Sequence, residues 1–346
     1  MKDNFFDKTF EELSSILVDM DPKLFRLEQV LRWVYVKGVD DFSLMTNMPA
    51  ELRDRLAAVL DLTPLELREE VESPDGTFKS LFRLWDGELI ESVIIPEEGH
   101  RTLCVSTQAG CAMGCGFCET ATIGLRRNLS QGEILAQVAG AVRKLGNRLA
   151  LRNLVFMGMG EPLLNMNALV GALNIITGAR GFDFSPRRVT VSTCGWVPGI
   201  DQLAREDLGV NLAVSLNAAD NETRDRLMPV NRKYPLKMLM KSIREFPLHS
   251  RQRITFEYVM IDRVNDRIED AGRLVKLIGA IPAKVNVIAY NRTSADWSPP
   301  KEEAMNRFQE ILMNAGLLAT VRRSRGDEIG AACGQLGARA VGGGNA

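Results

Sequence analysis

Histidine is almost missing from this 346-residue chain, which has only His100 and His249. That leaves too little material for a histidine-rich metal site or a Ser-His-Asp triad. Cysteine is scarce too. Six in 346 residues are too few for a disulfide framework, so in a reducing compartment they are expected to be metal ligands, catalytic thiols or small core residues. No apolar run approaches the length that spans a bilayer. The opening MKDNFFDKTFEELSSIL intersperses acids where a secretion signal places a basic and then an apolar block. A cytoplasmic location without membrane association is expected. Neither sign of charge is in excess, with 43 basic and 44 acidic residues for a net −1. Bulk electrostatics therefore neither demands nor excludes a polyanionic partner, and a nucleic-acid site must come from local clusters.

What is present suits a globular chain. Hydrophobic residues make up 45% and charged residues 25%, enough for a sizeable core. The length fits a barrel-like domain with a small appendage. Up to about residue 65, EELSSILVDM, LFRLEQVLRWVYVKG and LRDRLAAVL repeat apolar residues at helical spacing. Residues 66–100 change character: TFKSLFRLW and ELIESVIIP are rich in β-formers around an Asp86-Gly87 turn, which predicts a short hairpin linking two regions. From 101 to 340, strand candidates LCVST, NLVFMG, RVTVST, NLAVSL, ITFEYVM and KVNVIAY take turns with helical runs. One of those runs opens on a Ser130/Glu133 capping box. Six such units and a last strand near LLATVRRS predict an α/β fold, a partial (β/α)6 barrel preceded by a helical N-terminal domain (1–65) and the hairpin. No fixed-period repeat occurs, and low complexity is confined to the tail GGGNA.

The chemistry concentrates in TLCVSTQAGCAMGCGFCETATIGL, where Cys111, Cys115 and Cys118 stand at spacings of four and three. Three thiolates are one fewer than an all-cysteine 4Fe–4S site uses, which leaves one iron for an outside ligand. The amino and carboxylate groups of S-adenosylmethionine suit that corner, and an electron from the cluster would then break the sulfonium bond. Gly110, Gly114 and Gly116 let a tight loop wrap the cluster. A structural zinc site would want a fourth Cys or His nearby, and a ferredoxin-like carrier a fourth cysteine.

Three cysteines at this spacing, on a loop after the first strand of a partial barrel, are similar to the radical S-adenosylmethionine superfamily. Together with RRSRGDEIGAACGQL and the helical start FRLEQVLRWVYVKGVDDFSLMTNMP, the chain resembles, over nearly its whole length, the RlmN family of dual-specificity RNA methyltransferases. The resemblance implies methylation of carbon 2 of one adenosine in the peptidyl-transferase centre of 23S rRNA, and of an adenosine in the tRNA anticodon loop. It implies two S-adenosylmethionine molecules per turnover. The first methylates Cys333. A deoxyadenosyl radical from the second removes a hydrogen from that methyl group, and the resulting methylene radical adds to adenine, crosslinking protein and RNA. Glu91 matches the family position that removes the proton from the methylated carbon, and burial of a carboxylate suits it to base catalysis. Cys104 matches the thiol that attacks Cys333 as a disulfide partner and releases the RNA, while Cys194 matches no role and is expected in the core.

Cofactor contacts are expected where barrel strands end. The matching positions are Gly160 and Glu161 in GMGEP, Ser192, then Ser215, Leu216 and Asn217, and Asn291. The resemblance also implies a flavodoxin or ferredoxin as electron donor, and a monomer is expected. Arg126-Arg127, Arg187-Arg188 and Arg322-Arg323-Ser324-Arg325 are candidate phosphate contacts, several of them expected near active-face loops. Arg26, Arg32, Trp33, Tyr35 and Lys37 offer a docking module for folded RNA. Two rival readings share part of this pattern: a Cfr-like enzyme acting on carbon 8, and a non-catalytic iron–sulfur or zinc RNA-binding protein.

Overall fold

Helix α1 (Phe10–Met20) begins where its sequence supplies a capping box. The Glu12 amide donates to Thr9 Oγ1 at 3.1 Å, and the Thr9 amide donates back to Glu12 Oε2 at 2.7 Å. In this computed structural model, which describes residues 2–23 and 25–337, α2 (Phe25–Leu31) runs into a π-helical turn at Arg32–Val36, and α3 (Ala50–Val59) follows Pro49. Short parallel strands β1 (Asp3–Asn4) and β2 (Leu60–Asp61) join the two ends of this helical module. The glycine-rich tail lies outside the described residues.

The module is fixed to the rest of the protein by rings and a cap. Tyr35, fully buried, packs against Phe5 and Phe6 and stands edge-on to Phe182 at 4.9 Å, across the boundary. Asp7 accepts from the Gly132 amide at 2.6 Å and from Ser130 Oγ at 3.1 Å, so its carboxylate faces the N-terminus of the first long helix of the barrel. Two residues named above as RNA contacts are therefore spent on structure. Tyr35 is core, and Arg26 is buried with its guanidinium on Asp21 (2.8 Å) and Gln29 (2.8 Å). Arg32 and Lys37 remain exposed, with Lys37 Nζ 3.4 Å from the centre of the Trp33 ring.

Next come β3 (Glu66–Glu72), β4 (Phe78–Arg83), β5 (Leu89–Glu97) and β6 (His100–Cys104), paired antiparallel in that order. After a small ribbon of β7 (Gln108–Ala109) and β8 (Arg127–Asn128), interrupted by α4 (Glu119–Ile123), strands and helices alternate. They are α5 (Gln131–Leu145), β9 (Leu151–Phe156), α6 (Met166–Thr177), β10 (Val189–Thr193), α7 (Val197–Glu206) and β11 (Asn211–Ser215). Then follow α8 (Asn221–Leu227), α9 (Val230–Lys233), α10 (Leu236–Glu245), β12 (Ile254–Met260), α11 (Ile268–Ile278), β13 (Ala283–Ala289), α12 (Glu302–Asn314) and β14 (Leu318–Arg322).

Ten strands form one sheet in the order β14-β13-β12-β11-β10-β9-β6-β5-β4-β3. From β6 to β14 all neighbours are parallel and sequential, which is the expected partial barrel. The extension departs from the hairpin expected of it. It has a third strand, and β5 pairs with β6 (Val93 opposite Cys104), so it continues the barrel sheet. Strand β3 escapes a sequence reading because ELREEVE is mostly charged, as suits an exposed edge that must not recruit another chain.

Neither sheet edge meets the other through strand pairing. The segment after β14 bridges them instead: the Gly326 amide donates to Asp75 at 3.0 Å and Lys79 Nζ to the Gly330 carbonyl at 3.4 Å. On the opposite face the helices pack, with the Tyr258 ring of β12 5.0 Å from Phe308 of α12. Phe182→Ala should lower stability by about 3–5 kcal/mol, the usual loss for a buried ring. Denaturant unfolding would show this, and an unchanged midpoint would mean the N-terminal module is held by other contacts.

Candidate active site

The cluster loop grows out of the end of β6, where its backbone is gripped on two sides. The Gln137 side chain of α5 accepts from the Ser106 amide (2.9 Å) and donates to its carbonyl (3.0 Å). Ser106 Oγ donates to the Glu91 carbonyl at 2.6 Å and accepts from the Met159 amide at 2.8 Å, linking β5 to the loop after β9. Gly110 sits at φ +73°, and a side chain there would collide with the Gly124 carbonyl. Cys111, Cys115 and Cys118 are each half-buried on this loop.

The thiols lie close enough for the charge of Cys118 to be felt at Cys111 and Cys115. Burial pushes all three up, Cys111 to about 12, and negative charge on Cys118 and Glu161 pushes Cys111 and Cys115 further; Arg224 opposes this at Cys115. Three mutually repelling thiolates are what a positively charged iron centre relieves. Among the described residues no three such side chains close round a single ion. A 4Fe–4S cluster asks for something else, because each thiolate takes its own iron. The donor set fits that cluster.

Cys333 is brought to the cluster loop by a series of backbone clamps. Asn291, past the end of β13, donates to the Cys333 carbonyl at 2.9 Å. The Glu119 amide donates to the Gly334 carbonyl at 2.7 Å, and Thr120 Oγ1 to the Leu336 carbonyl at 2.6 Å. Gly334 turns the chain at φ +86°, where a side chain would press on the Phe117 carbonyl. Cys333 is solvent-accessible yet closely surrounded by protein atoms. That crowding pushes its thiol up, as does Glu257, while Arg322 opposes them.

Cys104 is buried at the end of β6 and unbonded. Burial drives its thiol far above the ordinary cysteine value, and a negative charge on Cys333 would drive it further. Glu91 lies one strand away, 1% exposed, in an ion pair with Lys79 at 3.1 Å. It also accepts from the Gly337 amide at 2.9 Å, four residues past Cys333. Cys104, Cys333 and Glu91 thus converge on one segment.

The strand-end residues divide. Gly160, at φ +100°, leaves no room for a side chain beside Gln108, whose Oε1 accepts from the Glu161 amide at 2.8 Å. Glu161 is buried, which raises its carboxyl, and its two oxygens accept from the amides of Leu163 (3.2 Å) and Cys194 (2.8 Å). Ser192 and Leu216 are buried and Ser215 is half-buried at the ends of β10 and β11. Asn217, at φ +58°, spends its side chain internally, accepting from the Val259 amide at 2.8 Å and donating to the Met228 sulfur at 3.2 Å. Asn291 holds Cys333 with one side-chain atom and accepts from Ser324 with the other. Arg187 and Arg188 precede β10, at the end of the sheet away from the thiols, so that pair does not line the mouth. Arg127 lies nearer, but Glu133 (2.7 and 2.8 Å) and Asp86 hold its guanidinium.

Two important residues gave no sequence signal. Arg224, fully buried, donates to the carbonyls of Cys194 (2.7 Å), Ser215 (3.3 Å) and Leu216 (3.1 Å) and to Asn231 (3.0 Å), tying the ends of β10 and β11 together. In NETRDRL it looks like a surface arginine. Lys79 likewise sits among strand residues with nothing to mark it as the partner of Glu91. Cys194 is core, as expected.

A partial barrel whose first strand delivers three thiols on a glycine-lined loop defines a radical S-adenosylmethionine enzyme. The sequence model of that superfamily matches residues 105–275, and the ribosomal RNA large subunit methyltransferase N-terminal domain matches residues 3–62. The chain is 50% identical to the dual-specificity RNA methyltransferase RlmN of Syntrophotalea carbinolica, covering 95% of this chain and 88% of that one. It is 49% identical to the RlmN of Anaeromyxobacter dehalogenans, covering 95% and 90%. The crystal structure of a radical SAM methyltransferase from Sphaerobacter thermophilus superposes with a TM-score of 0.92 at 44% identity, covering 97% of this chain and all of that one. The chain belongs to the RlmN family of dual-specificity RNA methyltransferases. Among the described residues no helix is long and apolar enough to cross a membrane.

Lys79→Met removes the ammonium partner of the buried Glu91 carboxylate and should cost up to about 3–5 kcal/mol. Adding Glu91→Gln should return part of that loss in a double-mutant cycle followed by denaturant unfolding. Strict additivity of the two changes would show that the pair does not act as a unit.

Proposed function

We propose that the protein methylates carbon 2 of adenosine in 23S rRNA and in tRNA, with the methyl group carried on Cys333. The observation that carries this reading is the convergence of Cys333, Cys104 and Glu91 on one clamped segment against the cluster loop. The names of the relatives support RNA as the substrate, since each is a dual-specificity RNA methyltransferase. Cys111, Cys115 and Cys118 would hold the 4Fe–4S cluster. Gly160, Glu161, Ser192, Ser215, Leu216, Asn217 and Asn291 would border S-adenosylmethionine, Leu216 and Asn217 through their backbone, since the first is buried and the second spends its side chain internally. When bound, these groups would supply a methyl group and one-electron chemistry, using two cofactor molecules per turnover.

The residues then divide the work. Aromatic carbon 2 of adenine offers no nucleophilic electron pair, so the new bond needs radical chemistry through a carrier near the base. Cys333 fits the carrier because it is accessible while its backbone is fixed on three sides. Once its S-methyl carbon is joined to adenine, Glu91 would accept the proton from the methylated ring carbon, and the unpaired electron of the adduct would leave to the oxidised cluster that Cys111, Cys115 and Cys118 would hold. Cys104 would attack the Cys333 sulfur to form a disulfide. The electrons of the broken sulfur–carbon bond would stay with the RNA carbon, which gains a proton to become methyl. The cluster would take its electrons from a flavodoxin or ferredoxin, and the enzyme would work as a monomer. Arg32, Trp33 and Lys37 would remain to meet the RNA.

Mass spectrometry of nucleosides from treated RNA should show 2-methyladenosine, and 8-methyladenosine in its place would refute the target carbon. Cys333→Ala should abolish methylation and remove the methyl group from its tryptic peptide. Cys104→Ala should accumulate a protein–RNA adduct visible as a shifted gel band. Normal turnover by Cys104→Ala would sink the resolution step.

A further inference from the structure

Four strands carry a row of polar residues that the proposed chemistry leaves largely unused. Ser215 pairs in register with Glu257, Glu257 with Asn286, and Asn286 with Thr320, from β11 across to β14. Side chains alternate along a strand, and Tyr258 turns its ring to Phe308 in the helix layer, so Glu257 points to the inner face. Hydrogen bonds run along the row in one direction. Thr320 Oγ1 donates to Asn286 Oδ1 at 2.8 Å, and Asn286 Nδ2 donates to Glu257 Oε1 at 2.8 Å. There the row stops. Glu257 is 5% exposed, and its Oε2 is buried without a partner.

A buried carboxyl oxygen without a donor is costly, and native proteins seldom leave one without a reason. The surroundings say which kind of donor belongs there. On one side lies Ser215, at the strand end where the cofactor is placed above. On another is Cys333, whose thiol responds to the charge of Glu257. Arg322 and Lys284 are the cations that Glu257 senses, yet neither reaches Oε2. Oε2 therefore lies between the cofactor rim and the methyl carrier, and in its ionised form it calls for an O–H or N–H donor. Both molecules proposed to meet in that space are adenosines, with ribose hydroxyls and a 6-amino group to give.

We propose that Glu257 Oε2 is a binding residue for adenosine in the barrel mouth, accepting a hydrogen bond from a ribose hydroxyl or the 6-amino group. Its register neighbour Ser215 favours the nucleoside of S-adenosylmethionine, and the alternative source is the target nucleotide. This inference rests on the methyltransferase reading above. Asn286 Nδ2 occupies Oε1, which leaves Oε2 of the ionised carboxylate as the acceptor for the ligand, against the burial that raises the Glu257 carboxyl.

Glu257→Gln tests that polarity with almost no change of shape. Its carbonyl oxygen keeps the bond from Asn286, and an amide N–H now stands where the acceptor was. Calorimetric titration of reconstituted, cluster-loaded enzyme with S-adenosylhomocysteine should show about 10- to 100-fold weaker binding, as expected for losing a hydrogen bond to a charged group. Unchanged binding of S-adenosylhomocysteine with a similar rise in KM for RNA would assign Oε2 to the target adenosine, also as proposed. If both stay at wild-type values, the proposal is overturned and a water molecule is the partner of Oε2. Should Glu257→Gln fail to fold or load its cluster, Asn286→Ala decides in the same titrations, since it frees Oε1 and lets the carboxylate rotate. A smaller loss of affinity supports the assignment, and no loss overturns it. Wild-type enzyme that itself bound no S-adenosylhomocysteine would instead refute the methyltransferase reading.

Discussion

The buried ion pair of Glu91 and Lys79 is the constraint on which the rest of the site depends. Glu91 lies deep between β4 and β6, where a lone carboxylate would be very costly, and the Lys79 ammonium at 3.1 Å makes the position tenable. Both partners then reach past each other to the last described segment. Lys79 donates to the Gly330 carbonyl, and Glu91 accepts from the Gly337 amide, one on each side of Cys333. The antiparallel extension thus does more than link two regions. It supplies the wall against which the segment carrying Cys333 is pinned, and so spans the side of the barrel that strand pairing leaves open.

The opposite wall depends on another buried charge. Arg224 collects carbonyls from the ends of β10 and β11, where parallel strands stop and their last acceptors would otherwise have no donors. Its guanidinium also senses Cys115 and Cys194, so the group that satisfies the strand ends adds positive potential beside the cluster loop. A neutral amide could donate to some of these carbonyls but would add no positive potential. Rigid strand ends and a favourable field for thiolates therefore come from one residue, and local order and chemistry are difficult to separate there.

Elements whose sequence pattern expresses their own burial were legible, and those defined by distant partners were not. The strand runs NLAVSL and ITFEYVM are apolar because both faces of a parallel sheet are covered. The capping box at Ser130 and Glu133 is present as expected. Cys111, Cys115 and Cys118 were legible because local spacing alone puts them on one loop. Strand β3 was missed because an exposed edge strand looks like charged loop. Arg26 and Tyr35 misled for a related reason: basic and aromatic side chains suit an RNA surface, yet an ion pair with Asp21 buries one and a ring cluster the other. Glu257 also could not be singled out, because only the lateral register of four strands shows that its second oxygen has no donor.

Burial of Cys104 has a consequence for the order of events. Thiol–disulfide exchange needs a thiolate, and a thiol held far above its ordinary value remains protonated at neutral pH. Cys104 and Cys333 stand close enough to influence each other, yet they are unbonded. A resolving thiol that ionised readily would be open to any external two-electron oxidant, which would join it to the carrier before a methyl group was loaded. In the proposed chemistry the same burial keeps Cys104 silent until attachment of RNA to Cys333 has made that sulfur a site for attack. Inertness in the resting enzyme follows from that placement at the end of β6, and the attack would require the Cys104 proton to leave as the released RNA carbon gains one.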